Sequence, residues 1–320
     1  MIHIERGLLS HIGDFLPKGK TLVLTDDGVP PVYAKTVADA LSHATVLVVP
    51  QGEGSKSLAT LQTVLQALLD GHFTRLDTLV AVGGGVVTDL GGLAASLFGR
   101  GMNLILIPTT VLAQVDASVG GKNAVDFGGV KNVLGTFYQA EEVLIDPALT
   151  ETLPPRQIAS GLAEAIKMGV TLDRTLFSLF ETGGSYDEIV SRAVSDKSRV
   201  VSLDPTDRNA RRVLNFGHTV GHALEATTSL SHGESVSLGM LCLSSERVRK
   251  RLVPVLQKVG LPTKATFDVS AVLDRITHDK KAEGDKIRAI FAEEIGSYRE
   301  TLLSVSEIGQ TLSFIKEETA

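Results

Sequence analysis

The first 150 residues alternate short apolar runs with segments of helical periodicity, and this alternation restricts the chain to few folds. The runs TLVLT, ATVLVV, TLVAV and LILIP begin at residues 21, 44, 78 and 104, and each is β-branched or apolar and too short for a helix. Between them, apolar residues recur at helical spacing, as in SLATLQTVLQALLDG, which stops at Gly71. We therefore predict a parallel α/β sheet with right-handed crossovers.

The pattern of apolar residues changes after Asp146. Leu153, Pro154 and Pro155 interrupt the chain, and helical periodicities dominate the remainder. A length of 320 residues is also about twice that of a usual single domain. The sequence therefore predicts an α/β N-terminal domain with a parallel nucleotide-binding sheet over residues 1–150, followed by an all-α C-terminal domain over residues 151–320.

Composition excludes several classes of partner. Lys and Arg number 31 against 37 Asp and Glu, a net charge of −6, so no general attraction to nucleic acid is expected. The single cysteine, Cys242, excludes an internal disulfide and suits a reducing compartment. No leader pattern and no apolar run of ~20 residues is present, so we expect no membrane span and a cytoplasmic location.

Three glycines, Gly83 to Gly85, follow the third apolar run and precede a helical segment. Glycines at such a turn let a ligand approach the backbone, and the amides of a helix N-terminus favour a pyrophosphate. The pattern is not a regular GxGxxG, so a merely tight turn stays open. Asp89 then either complements the helix dipole or contacts a cofactor.

A basic segment rich in glycines and hydroxyls follows the strand at 104–108. Lys122 and Lys131 stand among glycines rather than beside acidic residues, in a stretch that also carries Asp116 and Asn132. This composition favours an anion pocket over a solvated loop.

Histidines in the second half suggest a metal. His218 and His222 are four residues apart in a helical pattern, so both imidazoles project from one face. His232 and Glu164 could complete the three protein ligands that catalytic zinc takes. Because an HxxxH spacing is frequent by chance, spacing alone leaves a metal site and core histidines equally open.

Eight sequence blocks carry a family resemblance: GEGSK, GGGVVTDLGG, PTTVLAQVDASVGGK, GVKNVLGTFYQ, GLAEAIKMG, LNFGHTVGHALE, HGESV and DKK. These blocks occur in the order, and nearly with the spacing, that they have in the 3-dehydroquinate synthase family, and the chain resembles that family from Asp26 to Gly296. The resemblance implies conversion of the phosphorylated keto-acid sugar 3-deoxy-D-arabino-heptulosonate 7-phosphate to 3-dehydroquinate and phosphate, a step of aromatic amino acid biosynthesis by the shikimate pathway. It implies transient oxidation by NAD, phosphate elimination, re-reduction and internal aldol closure.

The resemblance also implies the groups that act. NAD would bind the N-terminal domain, a divalent metal, zinc or cobalt, would bind the helical domain, and the chain would form a homodimer. Glu164, His218 and His232 match the metal ligands. The catalytic positions it implies are Lys122, Lys167, Lys197, Arg211, Asn215 and His222, and the further substrate contacts are Arg100, Asp116, Lys131, Asn132 and Lys281.

Two of these implied assignments carry qualifications. Arg100 would reach the phosphate of the neighbouring subunit, and the choice between Lys280 and Lys281 stays open. The implied cofactor contacts are Asp26, Glu53, Lys56, Gly84, Gly85, Val86, Asp89, Thr109, Thr110, Asp116, Lys122 and Lys131. An acid after the first strand accepts hydrogen bonds from a ribose diol and repels a 2′-phosphate, which favours NAD over NADP.

The chain departs from the family pattern in two places, a shortened ATTSLS loop before His232 and FGRGM around Arg100. The short loop raises the question of how His232 is presented.

Three alternatives remain. Another sugar-phosphate cyclase would act on a substrate without a carboxylate, and the basic residues disfavour it, because unpaired buried cations are costly. A metal-dependent polyol dehydrogenase of similar fold would release reduced cofactor. A catalytically inactive nucleotide-binding module would not need the three candidate metal ligands.

Overall fold

The computed structural model describes residues 1–278 and 286–317. The chain divides into two compact units, Met1–Leu153 and Pro154–Ala320. The division falls within the Leu-Pro-Pro interruption of the sequence. The phosphate contact expected at Lys280 or Lys281 lies outside the described residues.

The first unit alternates strands and helices along most of its length. Its strands β1 to β8 are, in chain order, Ile2–Ile4, Thr21–Asp26, Ala44–Val49, Thr78–Gly83, Asn103–Pro108, Lys122–Phe127, Val130–Phe137 and Glu142–Ile145. Its helices α1, α2 and α3 are Pro31–Asp39, Leu58–Asp70 and Gly85–Leu97.

Six of these strands form one parallel sheet in the order β1-β8-β5-β4-β2-β3. The predicted parallel α/β architecture is therefore confirmed. Strands β2 and β4 are buried along nearly their whole length, as expected for central strands covered on both faces. Strand β3 lies on one side of β2 in the sheet, and the next strand along the chain, β4, lies on the other side of β2. The direction in which strands are added therefore reverses between β2 and β4.

The stretch that the sequence left as a loop or anion pocket contains the antiparallel pair β6–β7, which packs on α3. Asn123 of β6 is buried and donates from Nδ2 to the carbonyls of Gly121 and Tyr138, both at 2.9 Å. A Cβ at Gly92 of α3 would lie 1.8 Å from Asn123 Oδ1. The pair can approach the helix this closely only because glycine occupies the contact.

The second unit is mostly helical. Its helices α4 to α11 are Pro155–Thr171, Arg174–Thr182, Tyr186–Leu203, His218–Thr227, His232–Cys242, Glu246–Lys258, Val269–His278 and Val305–Thr311. Within the residues that the structure describes, no helix combines the length and the apolar character that a membrane span requires.

The predicted all-α character of this unit is wrong in one respect. An antiparallel pair, β9 (Lys286–Phe291) and β10 (Arg299–Ser304), lies near the end of the chain. Exposed Lys286 and Arg288 alternate with buried Ile287 and Ala289, which is the period of a half-buried strand. The period of two was overlooked because helical patterns surround it.

Residues 232–258 form two helices, α8 and α9, rather than one continuous helix. The break lies at Leu243, whose carbonyl accepts a 3.0 Å hydrogen bond from Ala292, while Ser245 donates its own amide to Ala292 at 2.9 Å. Ser245 then caps α9 by accepting from the amide of Val248. Side-chain capping by serine starts the second helix.

Gly92→Ala tests the approach of β6–β7 to α3. The added Cβ displaces the Asn123 amide and its two hydrogen bonds, so we expect the free energy of unfolding to fall by about 1–3 kcal/mol. Urea denaturation measures the change. Gly19→Ala is the control, because a Cβ there meets nothing within 4 Å; an equal effect of both substitutions would contradict the packing argument.

Candidate active site

A buried carboxylate lies at the centre of the second unit. Glu164, on α4, is 1% exposed, and its Oε1 lies 3.5 Å from His218 Nε2 and 3.3 Å from His232 Nε2. The three ligand atoms all lie within 4.8 Å of one another. The structure therefore brings together the three residues that the resemblance implies as metal ligands.

Local structure fixes the two histidines at helix starts. His218 is the first residue of α7 and follows Gly217, whose φ of 80° is left-handed. A Cβ at Gly217 would lie 2.8 Å from the Met240 side chain of α8, so glycine permits both the turn and the close contact. His232 is the first residue of α8, capped by Ser231 in a capping box with Glu234.

Both imidazoles are oriented through their Nδ1 atoms. His218 Nδ1 is 3.1 Å from the carbonyl oxygen of Phe216, and His232 Nδ1 is 3.0 Å from Glu225 Oε2. A ring that donates its Nδ1–H to such an acceptor keeps Nε2 as a lone-pair donor. Both Nε2 atoms face Glu164 in this arrangement.

The ionisation of the cluster follows from its burial and its neighbours. Burial opposes the charge on Glu164, but Lys167 and the two histidines hold its pKa well below its usual value. Burial and the nearby Lys167 lower the pKa of His218 to about 3. Burial also lowers the pKa of His232, but hydrogen bonds to Glu164 and Glu225 outweigh it and raise that pKa to about 10. Without a metal, the cluster therefore holds a proton on His232.

The cluster fits a divalent cation. Glu164 Oε1 is fully buried, and the two imidazole Nε2 atoms lie 3.3 and 3.5 Å from it. A buried carboxylate oxygen needs a positive partner, which a divalent cation would supply in place of the proton on His232. Two imidazole nitrogens and one carboxylate oxygen form a set of protein ligands that catalytic zinc sites use with an open fourth position. His222 lies one turn along α7, with its ring centroid 5.1 Å from that of His218.

Buried cations lie on α4 and on two elements that pack on it. Lys167, Lys197 and Arg211 are 2%, 4% and 3% exposed, whereas Asn215 and His222 are exposed. Lys167 forms an ion pair with Glu164 on the same helix. The burial of three cations in one unit is costly unless each has a polar or anionic partner.

Arg211 is held by a loop that Asp204 organises. The Asp204 carboxylate accepts from the backbone amides of Arg208, Asn209 and Arg211 at 2.9, 2.6 and 3.2 Å. These bonds lower the pKa of Asp204 to about 2. Arg211 Nη1 donates to the carbonyl oxygen of Pro205 at 3.3 Å.

In the first unit, the residues that the resemblance implies for a cofactor gather at the carboxyl edge of the sheet. Asp26 ends β2, Glu53 follows β3, Gly84 follows β4 and Thr109 follows β5. The order of the sheet reverses between β2 and β4, and ligands of open α/β sheets bind outside the carboxyl ends of the strands at such a point.

The glycines at this edge leave the start of α3 open. Gly84 caps the helix without a side chain, and a Cβ there would lie 3.0 Å from Thr110 Cγ2. The Thr109 amide donates to the Gly83 carbonyl at 2.9 Å, which ties β5 to β4. Uncapped amides at a helix N-terminus suit a pyrophosphate, so the site fits a dinucleotide.

Three further predicted residues meet beside α3. Lys56 is buried, and its Nζ donates to Asp89 Oδ2 at 2.7 Å and to Asn132 Oδ1. Asn132 has a left-handed φ of 54°, and its amide donates to Asp126 at 2.7 Å. Asn132, which the resemblance implies as a substrate contact, is therefore hydrogen-bonded in one group with Lys56 and Asp89, which it implies as cofactor contacts.

Asp26 presents a carboxylate at the end of β2. Its Oδ1 accepts from the amides of Gly28 and Val29 at 2.9 and 3.1 Å. Burial raises its pKa despite these bonds. The carboxylate is thus held in place by backbone donors through one of its two oxygens.

The structure separates other predicted residues. Lys122 pairs with Phe137 at the open end of β6–β7, whereas Lys131 and Asn132 lie near its turn. Arg100 follows the far end of α3, whose 13 residues put it about 20 Å from the glycine turn. Asp116 lies on the π-helical segment Ala113–Ala117 after β5.

Sequence reasoning missed Glu225. It lies seven residues after His218, two turns along the same helix, and its hydrogen bond to His232 crosses from α7 to α8. The spacing of His218, His222 and Glu225 at i, i+4 and i+7 was the available signal, since these positions share one helix face.

The chain matches two family models, which together cover most of its length. The model for the 3-dehydroquinate synthase N-terminal region matches residues 46–160, and that for the C-terminal region matches residues 161–282. The 3-dehydroquinate synthase of Latilactobacillus sakei is 41% identical, with 92% of this chain and 90% of the relative covered. That of Streptococcus pneumoniae is 39% identical, with 92% of both chains covered.

A solved structure supports the same fold. A 2-epi-5-epi-valiolone synthase from Streptomyces hygroscopicus, with NAD+ and Zn2+ bound, superposes with a TM-score of 0.88 at 27% identity. The match covers 98% of this chain and 95% of that protein.

The Asp204 loop generates a pH prediction. Because the folded-state pKa lies near 2, below the usual 3.8, ionised Asp204 stabilises the fold above pH 4, and the stabilisation fades as pH falls towards 2. Asp204→Asn should therefore lower the free energy of unfolding at pH 7 and lower it less at pH 3, measured by urea denaturation. Asp274→Asn, at an exposed aspartate of α10, is the control. A deficit that stays constant with pH would contradict the prediction.

Proposed function

Because this chain belongs to the 3-dehydroquinate synthase family, we propose that it converts 3-deoxy-D-arabino-heptulosonate 7-phosphate to 3-dehydroquinate and phosphate. The observation that carries the proposal is the Glu164, His218 and His232 cluster, in a chain that matches both halves of the family. The reaction is that of a phosphate-eliminating lyase, and it leaves no net oxidation.

We propose NAD and a divalent metal as the cofactors. NAD would be held at the carboxyl edge of the parallel sheet by Asp26, the glycine turn and the Lys56 group, and the metal by Glu164, His218 and His232. When bound, NAD supplies a hydride acceptor, and the metal supplies a Lewis acid that polarises a hydroxyl. Zinc is our proposal for the metal, since two imidazoles and a carboxylate suit it and a solved relative contains Zn2+.

The chain's own cations select the substrate. Lys197 and Arg211 are buried, and a sugar that carries both a carboxylate and a phosphate offers the two anionic groups that such residues bind. The names of the curated relatives favour the synthase over other sugar-phosphate cyclases.

We propose that the working enzyme is a homodimer in the cytoplasm. Phe127, Val130, Val133 and Phe137 of β6–β7 are each more than half exposed, an apolar surface typical of an association site. Arg100 lies far along α3 from its own glycine turn, which suits a residue that serves a neighbouring subunit.

The first test is phosphate release from the heptulosonate phosphate with catalytic NAD and Zn2+, with NADH absorbance followed in the same sample. We expect stoichiometric phosphate and no lasting NADH. His218→Ala should lose the bound metal and at least ~99% of turnover, because it removes one of three ligands. Metal analysis and NAD titration show whether the loss is confined to the metal site.

Two results would contradict the proposal. NADH that accumulates from a simple polyol, without phosphate release, would favour the polyol dehydrogenase. Unchanged metal content in His218→Ala would remove the metal assignment. Thr219→Ala, a neutral substitution beside His218 on α7, is the control for effects on the helix start.

Mixed dimers test the role of Arg100. Arg100→Ala and His218→Ala should each be inactive, but a mixed dimer has one complete site if Arg100 acts on the neighbouring subunit. The isolated mixed dimer should then show about half of wild-type activity per subunit, and an unfractionated random mixture about a quarter. Co-expression with two affinity tags and assay of the mixed species measures it, and no recovery would place Arg100 within its own subunit's site or outside the reaction.

A further inference from the structure

We propose that Glu225 is a positioning residue that sets the orientation of the His232 imidazole for metal binding. The inference rests on the proposed function, because it concerns the same metal site. It assigns a role to a residue that ends the LNFGHTVGHALE block but that is not among the site residues implied by the resemblance.

The backbone of His232 is fixed from α4, the helix that also carries Glu164. Ser160 Oγ accepts from the Gly233 amide at 3.0 Å, and Arg156 forms a bidentate pair with Glu234 at 2.7 and 2.6 Å. Positions 156, 160 and 164 recur every four residues, so one face of α4 holds both the ligand Glu164 and the contacts that fix the start of α8.

Close packing reinforces this constraint. A Cβ at Gly233 would lie 2.1 Å from the carbonyl oxygen of Ser160, so α8 begins in direct contact with α4. Arg156 Nη2 also donates to the Ser229 carbonyl at 3.2 Å, within the connection between α7 and α8. These contacts place the Cα of His232, but none of them reaches its ring.

The ring needs a separate constraint. The His232 side chain is 30% exposed, against 13% for His218, so packing restrains it less. His218 is oriented by the carbonyl of Phe216, two residues away in its own backbone, which no substitution removes. His232 Nδ1 lies instead 3.0 Å from the Glu225 carboxylate, a side chain on the neighbouring helix.

The contact also has the right chemistry. A carboxylate that accepts the Nδ1–H fixes the tautomer, aims Nε2 at the ligand position and increases the basicity of the ring. Glu225 is 21% exposed, so its charge is only partly screened by solvent. Both effects strengthen the bond from Nε2 to a divalent cation.

The test measures metal affinity directly in the full-length chain. Metal is removed with a chelator, and Zn2+ affinity is measured by competition for wild type, Glu225→Ala and Glu225→Gln. We expect Glu225→Ala to weaken Zn2+ binding about 10–100-fold, and Glu225→Gln, which keeps an acceptor without the charge, to weaken it less. The absorption spectrum of the Co2+-loaded chain should change for Glu225→Ala, because ligand geometry changes.

Control measurements separate positioning from folding. Glu246→Gln removes an exposed glutamate from α9 and should leave Zn2+ affinity unchanged. NAD affinity should match wild type for Glu225→Gln, which is nearly isosteric and keeps the test valid if Glu225→Ala does not fold.

The outcomes distinguish this inference from the proposed function. If the wild type and both Glu225 variants bind Zn2+ with the same affinity, and their Co2+ spectra are also the same, the positioning role alone is overturned. A wild-type chain that binds no divalent metal would overturn the metal assignment and the positioning role together. A graded loss, alanine larger than glutamine, supports the inference.

Discussion

The burial of the Glu164 carboxylate is the constraint on which the second unit depends. An ionised carboxylate at 1% exposure requires compensation, and the fold supplies it from three directions: Lys167 on the same helix, and His218 and His232 from two helix starts. Replacing such a group by apolar side chains is often neutral or stabilising. Its presence therefore indicates a site rather than a contribution to stability.

Glycines allow the approach of the elements that surround this carboxylate. The α7 and α8 helices meet where a Cβ at Gly239 would lie 1.9 Å from the Gly217 carbonyl, and α8 meets α4 at Gly233. The shortened connection before His232 does not displace that residue from Glu164, because hydrogen bonds from α4 fix the start of α8. Helix packing, rather than loop length, presents the ligand.

Much of the first unit could be predicted from its sequence, because buried parallel strands are continuous apolar runs. The edge strand β1 and its neighbour β8, of three and four residues, carry too few positions for a period to be visible. The β6–β7 pair escaped prediction because its exposed apolar residues and glycines do not alternate in the usual way. Residue types predicted the metal cluster, but Glu225 needed tertiary structure, because its partner lies on the next helix.

The charge of the completed site links the metal to the substrate. Lys167 balances Glu164, so a divalent cation would add two positive charges to a region that also holds buried Lys197 and Arg211. Glu225 offsets only one of them. The proposed substrate carries a carboxylate and a phosphate, anionic groups of the kind that lysine and arginine side chains bind, whereas a neutral polyol carries neither. A divalent cation at this site would therefore add to its attraction for an anionic substrate.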